Sequence, residues 1–223
     1  MESYQQRFIE FLVQSDVLTF GDFVTKSGRA TPYFVNTGKY RTGGLLGRLG
    51  EFYAQALADQ LGATFDNLYG PAYKGISLAV ATGIALNGRY NHDVTVTFNR
   101  KEAKDHGEKG ILIGHPYTGS ENVVIIEDVI TAGTSIRESM SILSKNGNPR
   151  IAAVIISVDR MERGQGELSA IEEVKKEFEL EVFSIVTVRE IIEYLANSEI
   201  DGKVYIDASG RERMEAYLAE YGS

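Results

Sequence analysis

The chain has 223 residues, a net charge of −8, 43% apolar and 24% charged residues, values that exclude collagen-like, low-complexity and disordered classes. A chain this acidic is a poor general binder of nucleic acid or anionic membrane, so any anionic ligand must be met by a local cluster of basic side chains. Cysteine is absent, which removes a disulfide framework, a thiolate metal site and a cysteine nucleophile.

Residues 1–7 lack the apolar stretch of a signal peptide, and the longest apolar run, 151–156, is far below the ~20 residues of a membrane span. A cytoplasmic protein without a membrane segment is expected. A first helix is predicted over 4–13, followed by short strands over 18–26 and 33–36. Leu45, Leu46, Leu49, Phe52, Tyr53, Ala56, Leu57 and Leu61 recur at helical spacing. Strands at 66–69, 94–98, 123–126, 151–158 and 182–186 then alternate with helices at 76–86, 135–144 and 171–178. The runs 123–126 and 151–156 are apolar at every position, as strands buried on both faces should be. Met214, Tyr217, Leu218 and Tyr221 mark one face of a last helix. The alternation predicts an α/β fold, a five-stranded parallel sheet flanked by helices. The chain reads as one domain over 1–223. A small N-terminal cap or hood spans about 1–40 and the core about 41–188. A C-terminal helical segment fills 189–223.

Ligands of such sheets bind beyond the carboxyl ends of the strands, so the segments that follow each strand are informative. After 123–126 come Glu127, Asp128, Val129, Ile130, Thr131, Ala132, Gly133, Thr134 and Ser135. Two carboxylates precede a loop of small and hydroxyl residues that opens into a helix. The segment reads either as an acidic strand end with Thr131 or Thr134 as an N-cap, or as a backbone cradle for a phosphate. In the second reading the acids hold ribose hydroxyls or a Mg²⁺ ion. Neither G-x-x-x-x-G-K-[ST] nor G-x-G-x-x-G occurs.

After 94–98 come Arg100, Lys101, Lys104 and Lys109, the densest basic cluster in the chain, interleaved with Glu102, Asp105 and Glu108. It is expected to be an exposed, mobile loop, either a solvated charged surface or a lid that closes on an anion. Tyr73 and Lys74 lie in a turn bracketed by Gly70 and Gly75, either an ordinary strand-to-helix turn or a pyrophosphate seat. Arg160 follows 151–158 and suits a planar carboxylate; the alternative is a surface Asp159–Arg163 pair. Tyr33 reads as a core aromatic of a hairpin.

Residues 123–135 resemble the phosphoribosyl-pyrophosphate (PRPP) motif of the type I phosphoribosyltransferases. Residues 100–108, Arg-Lys-Glu-Ala-Lys-Asp-His-Gly-Glu, are similar to the catalytic loop of orotate phosphoribosyltransferases. Residues 26–36 resemble the family's K-S-G-R-x-S-P-Y-F-F-N, with Thr31 for a Ser and Val35 for a second Phe. Glu127-Asp128 stands where many orotate enzymes carry Asp-Asp. The resemblance covers about residues 4–188 and implies a type I phosphoribosyltransferase fold, with orotate and Mg·PRPP converted to orotidine 5′-monophosphate and pyrophosphate. It implies PRPP contacts from Lys26, Tyr73, Lys74, Arg100, Lys101, Lys104, His106 and residues 127–135. It implies orotate contacts from Phe34, Val35, Thr131 and Arg160, and catalytic roles for Lys26, Lys101, Lys104 and Asp128. Mg²⁺ is expected to bind mainly through PRPP, with no protein-held transition metal. A homodimer is implied in which loop 100–109 reaches the neighbouring active site. His92 and His115 read as surface loop residues. The competing readings are a phosphoribosyltransferase for uracil or a purine and a non-catalytic PRPP-sensing regulator.

Overall fold

The computed structural model describes residues 1–25, 28–104, 110–130, 132–164 and 166–223, with backbone alone at 103 and 104. In chain order the elements are α1 (Ser3–Gln14), β1 (Leu18–Val24), β2 (Ala30–Val35), α2 (Gly43–Leu61), β3 (Asn67–Gly70), α3 (Lys74–Tyr90), β4 (Thr95–Lys104), β5 (Gly110–Gly114) and β6 (Asn122–Ile126). They continue with α4 (Thr134–Lys145), β7 (Arg150–Asp159), α5 (Ala170–Phe178), β8 (Val182–Thr187), α6 (Val188–Ala196), β9 (Glu199–Ile200), β10 (Lys203–Val204) and α7 (Ala208–Tyr221). No helix among the described residues is long and apolar enough to cross a membrane.

The main sheet has six strands in the order β5-β4-β3-β6-β7-β8, one more than the sequence pattern predicts. The five expected strands are parallel. The extra strand, β5, pairs antiparallel with β4. It is the short run Ile111-Leu112-Ile113 between two glycines, which returns by a hairpin and needs no crossover helix. The basic run Arg100–Lys104 is therefore strand rather than loop, because its backbone continues β4 alongside β5.

β6 explains the sheet's rigidity. Val123, Val124, Ile125 and Ile126 are all fully buried. Val123 and Ile125 pack into the core under α4 and α5, whereas Val124 and Ile126 face the core shared by α1, α2, α3 and α6. This is the period-2 alternation of a strand covered on both sides. Each such side chain contributes about 1.5–3 kcal/mol by leaving water.

The cap is the antiparallel β1–β2 hairpin, on which α7 packs through an edge-to-face contact of Tyr217 with Tyr33 at 6.0 Å. Tyr33 is fully buried, in keeping with its reading as a core aromatic. The C-terminal segment holds two helices, not one. α6 carries a capping box of Thr187 and Glu190 and buries Val188, Ile191, Ile192 and Leu195, an i, i+3, i+4, i+7 stripe.

Close approach of β3 and α3 requires glycine at both ends of the turn between them. A Cβ on Gly70 would lie 2.2 Å from the Gly75 carbonyl oxygen, and one on Gly75 would lie 2.7 Å from Pro71 Cδ and 3.0 Å from the Ile126 carbonyl oxygen. Gly75→Ala is expected to destabilise the fold by ~1–3 kcal/mol through overpacking. Gly88→Ala, in α3 with open space at its Cβ, is expected to be neutral or to stabilise by about 0.4–1 kcal/mol. Urea unfolding of the two variants checks both values; equal effects would remove the steric argument for Gly75.

Candidate active site

The sheet's winding reverses between β3 and β6, since β4 lies to one side and β7 and β8 to the other. A crevice opens at such a reversal, beyond the carboxyl ends of the strands. β6 delivers Glu127 and Asp128 into it. Their backbone is fixed from several sides. The Glu127 N–H donates to the Ile155 carbonyl at 3.0 Å, and the Tyr53 hydroxyl donates to the Glu127 carbonyl at 2.7 Å. The Asp128 carbonyl accepts from the Ser157 N–H at 2.9 Å and its hydroxyl at 2.6 Å.

The two carboxylates sit in different surroundings. Glu127 accepts a hydrogen bond from the Ser135 hydroxyl. Burial pushes its carboxyl up to about 7; the Ser135 hydroxyl opposes the shift and the Asp128 charge adds to it. Asp128 Oδ2 instead receives Lys74 Nζ at 2.7 Å and the Thr37 hydroxyl at 2.6 Å. Lys74 also donates to Thr37 Oγ1 at 2.9 Å, closing a three-membered polar junction between the cap, α3 and β6.

Beyond the acids the chain turns into α4. Its N-cap is Gly133, with φ 69° and no capping side chain. A Cβ there would lie 2.9 Å from Val174 Cγ2, so both conformation and space demand glycine. Thr134 is the first helical residue, which sets aside its reading as the N-cap; Thr131 lies outside the described residues. The first turn of α4 lines a cavity of about 370 Å³ together with Glu127, Val129, Ile130, Gly133 and Glu138. Lys101, on β4, lines the same cavity. An uncapped helix start and a lysine on one cavity favour an anion there, against the carboxylates of Glu127 and Glu138 on the same cavity.

A second cavity of about 530 Å³ is lined by Phe34, Val35, Val129, Ile130, Ala132 and Arg160. Phe34 stacks on Phe23 at 5.6 Å and keeps 36% of its surface exposed, leaving ring area for a planar ligand. Arg160 follows the end of β7, with its side chain 12% exposed. Its expected alternative, an Asp159–Arg163 pair, is not what forms. Asp159 accepts the Met161 N–H at 2.7 Å, and Arg163 donates to the Glu220 carbonyl.

The structure thus brings Lys101, Glu127, Val129, Ile130, residues 132–135, Phe34, Val35 and Arg160 around two cavities that share Val129 and Ile130 as a wall, while Lys74 and Asp128 line a third, smaller cavity with Thr37, Tyr53 and Ser157. Tyr73 precedes α3 and is 73% exposed. Arg100 points across the hairpin to the Gly110 carbonyl at 3.2 Å. Lys26 and His106 lie outside the described residues, as does the side chain of Lys104. His92 and His115 are not simple surface residues: each is half-buried, the first against Phe65 at 4.7 Å and the second beside Glu121 at 3.4 Å. Sequence reading did not find Thr37, Tyr53, Ser157 or Glu162. Their partners are distant in the chain or, for Glu162, hidden by the expectation of a different pair.

Among the described residues no group of three His, Cys, Asp or Glu side chains could hold a metal ion. Two adjacent carboxylates suit Mg²⁺ taken up with a phosphate-bearing ligand, since that ion keeps most of its ligands from water and phosphate.

Residues 38–197 match the model of the phosphoribosyl transferase domain family. The orotate phosphoribosyltransferase of Lachnoclostridium phytofermentans is 52% identical over 222 residues, covering 100% of this chain and 99% of that protein. That of Pseudomonas aeruginosa PAO1 is 50% identical over 222 residues, covering 100% of both. The crystal structure of orotate phosphoribosyltransferase from Francisella tularensis superposes with a TM-score of 0.85 at 35% identity, covering 97% of this chain and 100% of that one.

The raised Glu127 carboxyl has a thermodynamic signature. Its folded value of about 7 lies above the ordinary 4.5. It therefore favours the folded state fully below pH 4.5, and that contribution is lost as pH rises through 7. Glu127→Gln removes this dependence. The stability of the variant relative to the unchanged chain is expected to grow by ~1–3 kcal/mol between pH 5 and pH 8. Denaturant unfolding at the two pH values tests this; a constant difference would place Glu127 in a solvated setting.

Proposed function

The chain belongs to the orotate phosphoribosyltransferase family, and on that premise we propose how its strand-end loops transfer the phosphoribosyl group of PRPP to orotate. The products are orotidine 5′-monophosphate and pyrophosphate, a step of pyrimidine biosynthesis. The observation that carries the residue roles is the shared Val129–Ile130 wall. A phosphoribosyl group seated in the anion cavity presents its sugar to a ligand held in the Arg160 cavity.

The 5′-phosphate sits on the α4 N-terminus, with Thr131, Thr134 and Ser135 supplying hydroxyls. Val129 and Ile130 have no polar side-chain atoms, so their contacts come from the backbone. Asp128 and Glu127 hold the ribose hydroxyls. Tyr73 and Lys74 sit at the turn that meets pyrophosphate, and Lys26, Arg100, Lys101, Lys104 and His106 complete its charge. Bound with PRPP, Mg²⁺ supplies further neutralisation of the leaving pyrophosphate. Phe34 and Val35 pack on the orotate ring, Thr131 lies beside it, and Arg160 takes its carboxylate. Catalysis then rests on alignment of the two reactants, stabilisation of charge growing on pyrophosphate by Lys26, Lys101 and Lys104, and exclusion of water from a cation-like ribosyl centre.

A cytoplasmic homodimer completes the proposal, with residues 100–109 of one protomer serving the neighbouring site. Val80 and Ile84 support an interface on α3, being 41% and 70% exposed beside an apolar groove between α2 and α3.

Orotate consumption should require both PRPP and Mg²⁺, with uracil and adenine inert in parallel assays. Lys101→Ala is expected to lower kcat by ~10²-fold with an unchanged melting temperature. Mixing Lys101→Ala with Asp128→Ala under subunit exchange should restore part of the lost activity. Full activity of Lys101→Ala would remove this lysine from the mechanism, and no recovery in the mixture would count against shared sites.

A further inference from the structure

We infer that Glu162 is a positioning residue for base recognition: it grips Arg160 along one edge of the guanidinium and so aims the other edge at a planar carboxylate in the cavity. The inference rests on the orotate reading of that cavity. Arg160 Nε and Nη2 both donate to the same Glu162 oxygen, Oε1, at 3.0 and 2.7 Å. That spends one edge of the planar fork. Among the described residues no side chain or carbonyl bonds Nη1, so the Nη1–Nη2 edge keeps its donors. A guanidinium presents five N–H groups in fixed directions, and holding one edge therefore fixes where the remaining donors point.

The ion pair is itself locked from three sides. The Arg160 guanidinium lies 4.8 Å from the centre of the Tyr33 ring, and Tyr33 is fully buried. The Tyr33 hydroxyl donates to the same Glu162 Oε1 at 2.9 Å, so a single oxygen ties the cap to the base cavity. Glu162 Oε2 meets Arg29 Nη1 at 3.4 Å, and Arg29 in turn lies 4.5 Å over the Tyr221 ring. The backbone around Glu162 is clasped by the end of α7. Glu162 and Gly222 form an antiparallel bridge, Arg163 N–H donates to the Tyr221 carbonyl at 2.8 Å, and Ser223 N–H donates to the Met161 carbonyl at 2.9 Å. The segment after residue 189 thereby acquires a role: it holds the loop that aims Arg160.

A loosely held arginine would lose its rotamer freedom on binding, whereas one already held along one edge by Glu162 has less to lose.

The test is steady-state KM for orotate and for PRPP in Glu162→Ala, Glu162→Asp and Glu162→Gln, with Arg160→Ala as reference. Alanine removes the grip, and aspartate keeps the charge but withdraws it by one methylene. Both are expected to raise the orotate KM by ~10-fold or more, the scale of a lost charge-assisted hydrogen bond, with the PRPP KM unchanged. Glutamine keeps the accepting oxygen and is expected to stay close to the unchanged enzyme. If alanine fails to fold, the aspartate variant decides. An unchanged orotate KM in Glu162→Asp, or equal changes in both KM values, would overturn the proposal while leaving the orotate reading intact. A fall in orotate KM would mean that Glu162 competes with the ligand for Arg160, and would also overturn it. No change in Arg160→Ala would overturn the orotate reading together with this one.

Discussion

The burial of β6 on both faces is the constraint on which the site depends. Its four apolar side chains divide between two cores. A slip of one residue would exchange the faces of all four and draw Glu127 into the place of Ile126. A carboxylate inside that core would cost several kcal/mol. Hydrophobic packing, rather than any interaction within the crevice, therefore sets where the acid pair stands. The polar contacts then refine its aim: Tyr53 and Ser157 bind the two carbonyls, and Lys74 and Thr37 bind Asp128.

The same economy governs charge. In a chain of net −8, cations that line the cavities are already engaged by acids: Lys74 by Asp128, and Arg160 and Arg29 by Glu162. Lys74 is 63% exposed in its side chain, so its pair is weakened by solvent and a phosphate oxygen can compete for it. Arg160 is mostly buried, and its pair with Glu162 keeps the guanidinium fixed while leaving donors free. One pair is exchangeable and the other is a mount. The distinction follows from exposure and from the number of donors, since an ammonium presents a point charge and a guanidinium presents two usable edges.

Much of this was legible in the sequence, and the reasons for the misses are physical. The five parallel strands follow from short β-branched or aromatic runs, two of them apolar at every position, the helices between them from helical patterns, and the strand-end loops from the fold rule. β5 was missed because three apolar residues between glycines carry too little periodicity. α6 was missed although Thr187 and Glu190 spell a capping box, because it follows β8 without a turn. Glu127, Asp128 and the small-residue loop stood out because a local pattern encodes them. Thr37, Tyr53 and Ser157 did not, because each meets its partner only after the chain has closed: Thr37 is 91 residues from Asp128, and no local pattern reports that distance.

The two cavities meet at Val129 and Ile130, two residues without polar side-chain atoms at the point where the proposed phosphoribosyl and base sites converge. An apolar wall there places no side chain that could take the part of water toward a cation-like sugar. Lys101, on β4, lines the first of these cavities. Beyond Phe98 the β4 backbone leaves β3 and pairs with β5 alone. β5 has no second neighbour in the sheet. The hairpin arm that carries Lys101 is thus joined to the sheet through the first part of β4 and can shift without breaking the ladders among β3, β6, β7 and β8. Local opening free energies are lowest where few buried contacts must be undone. The fold therefore sets the acid pair and the start of α4 on the centre of the sheet, and Lys101 on an arm held by the edge strand β5 alone.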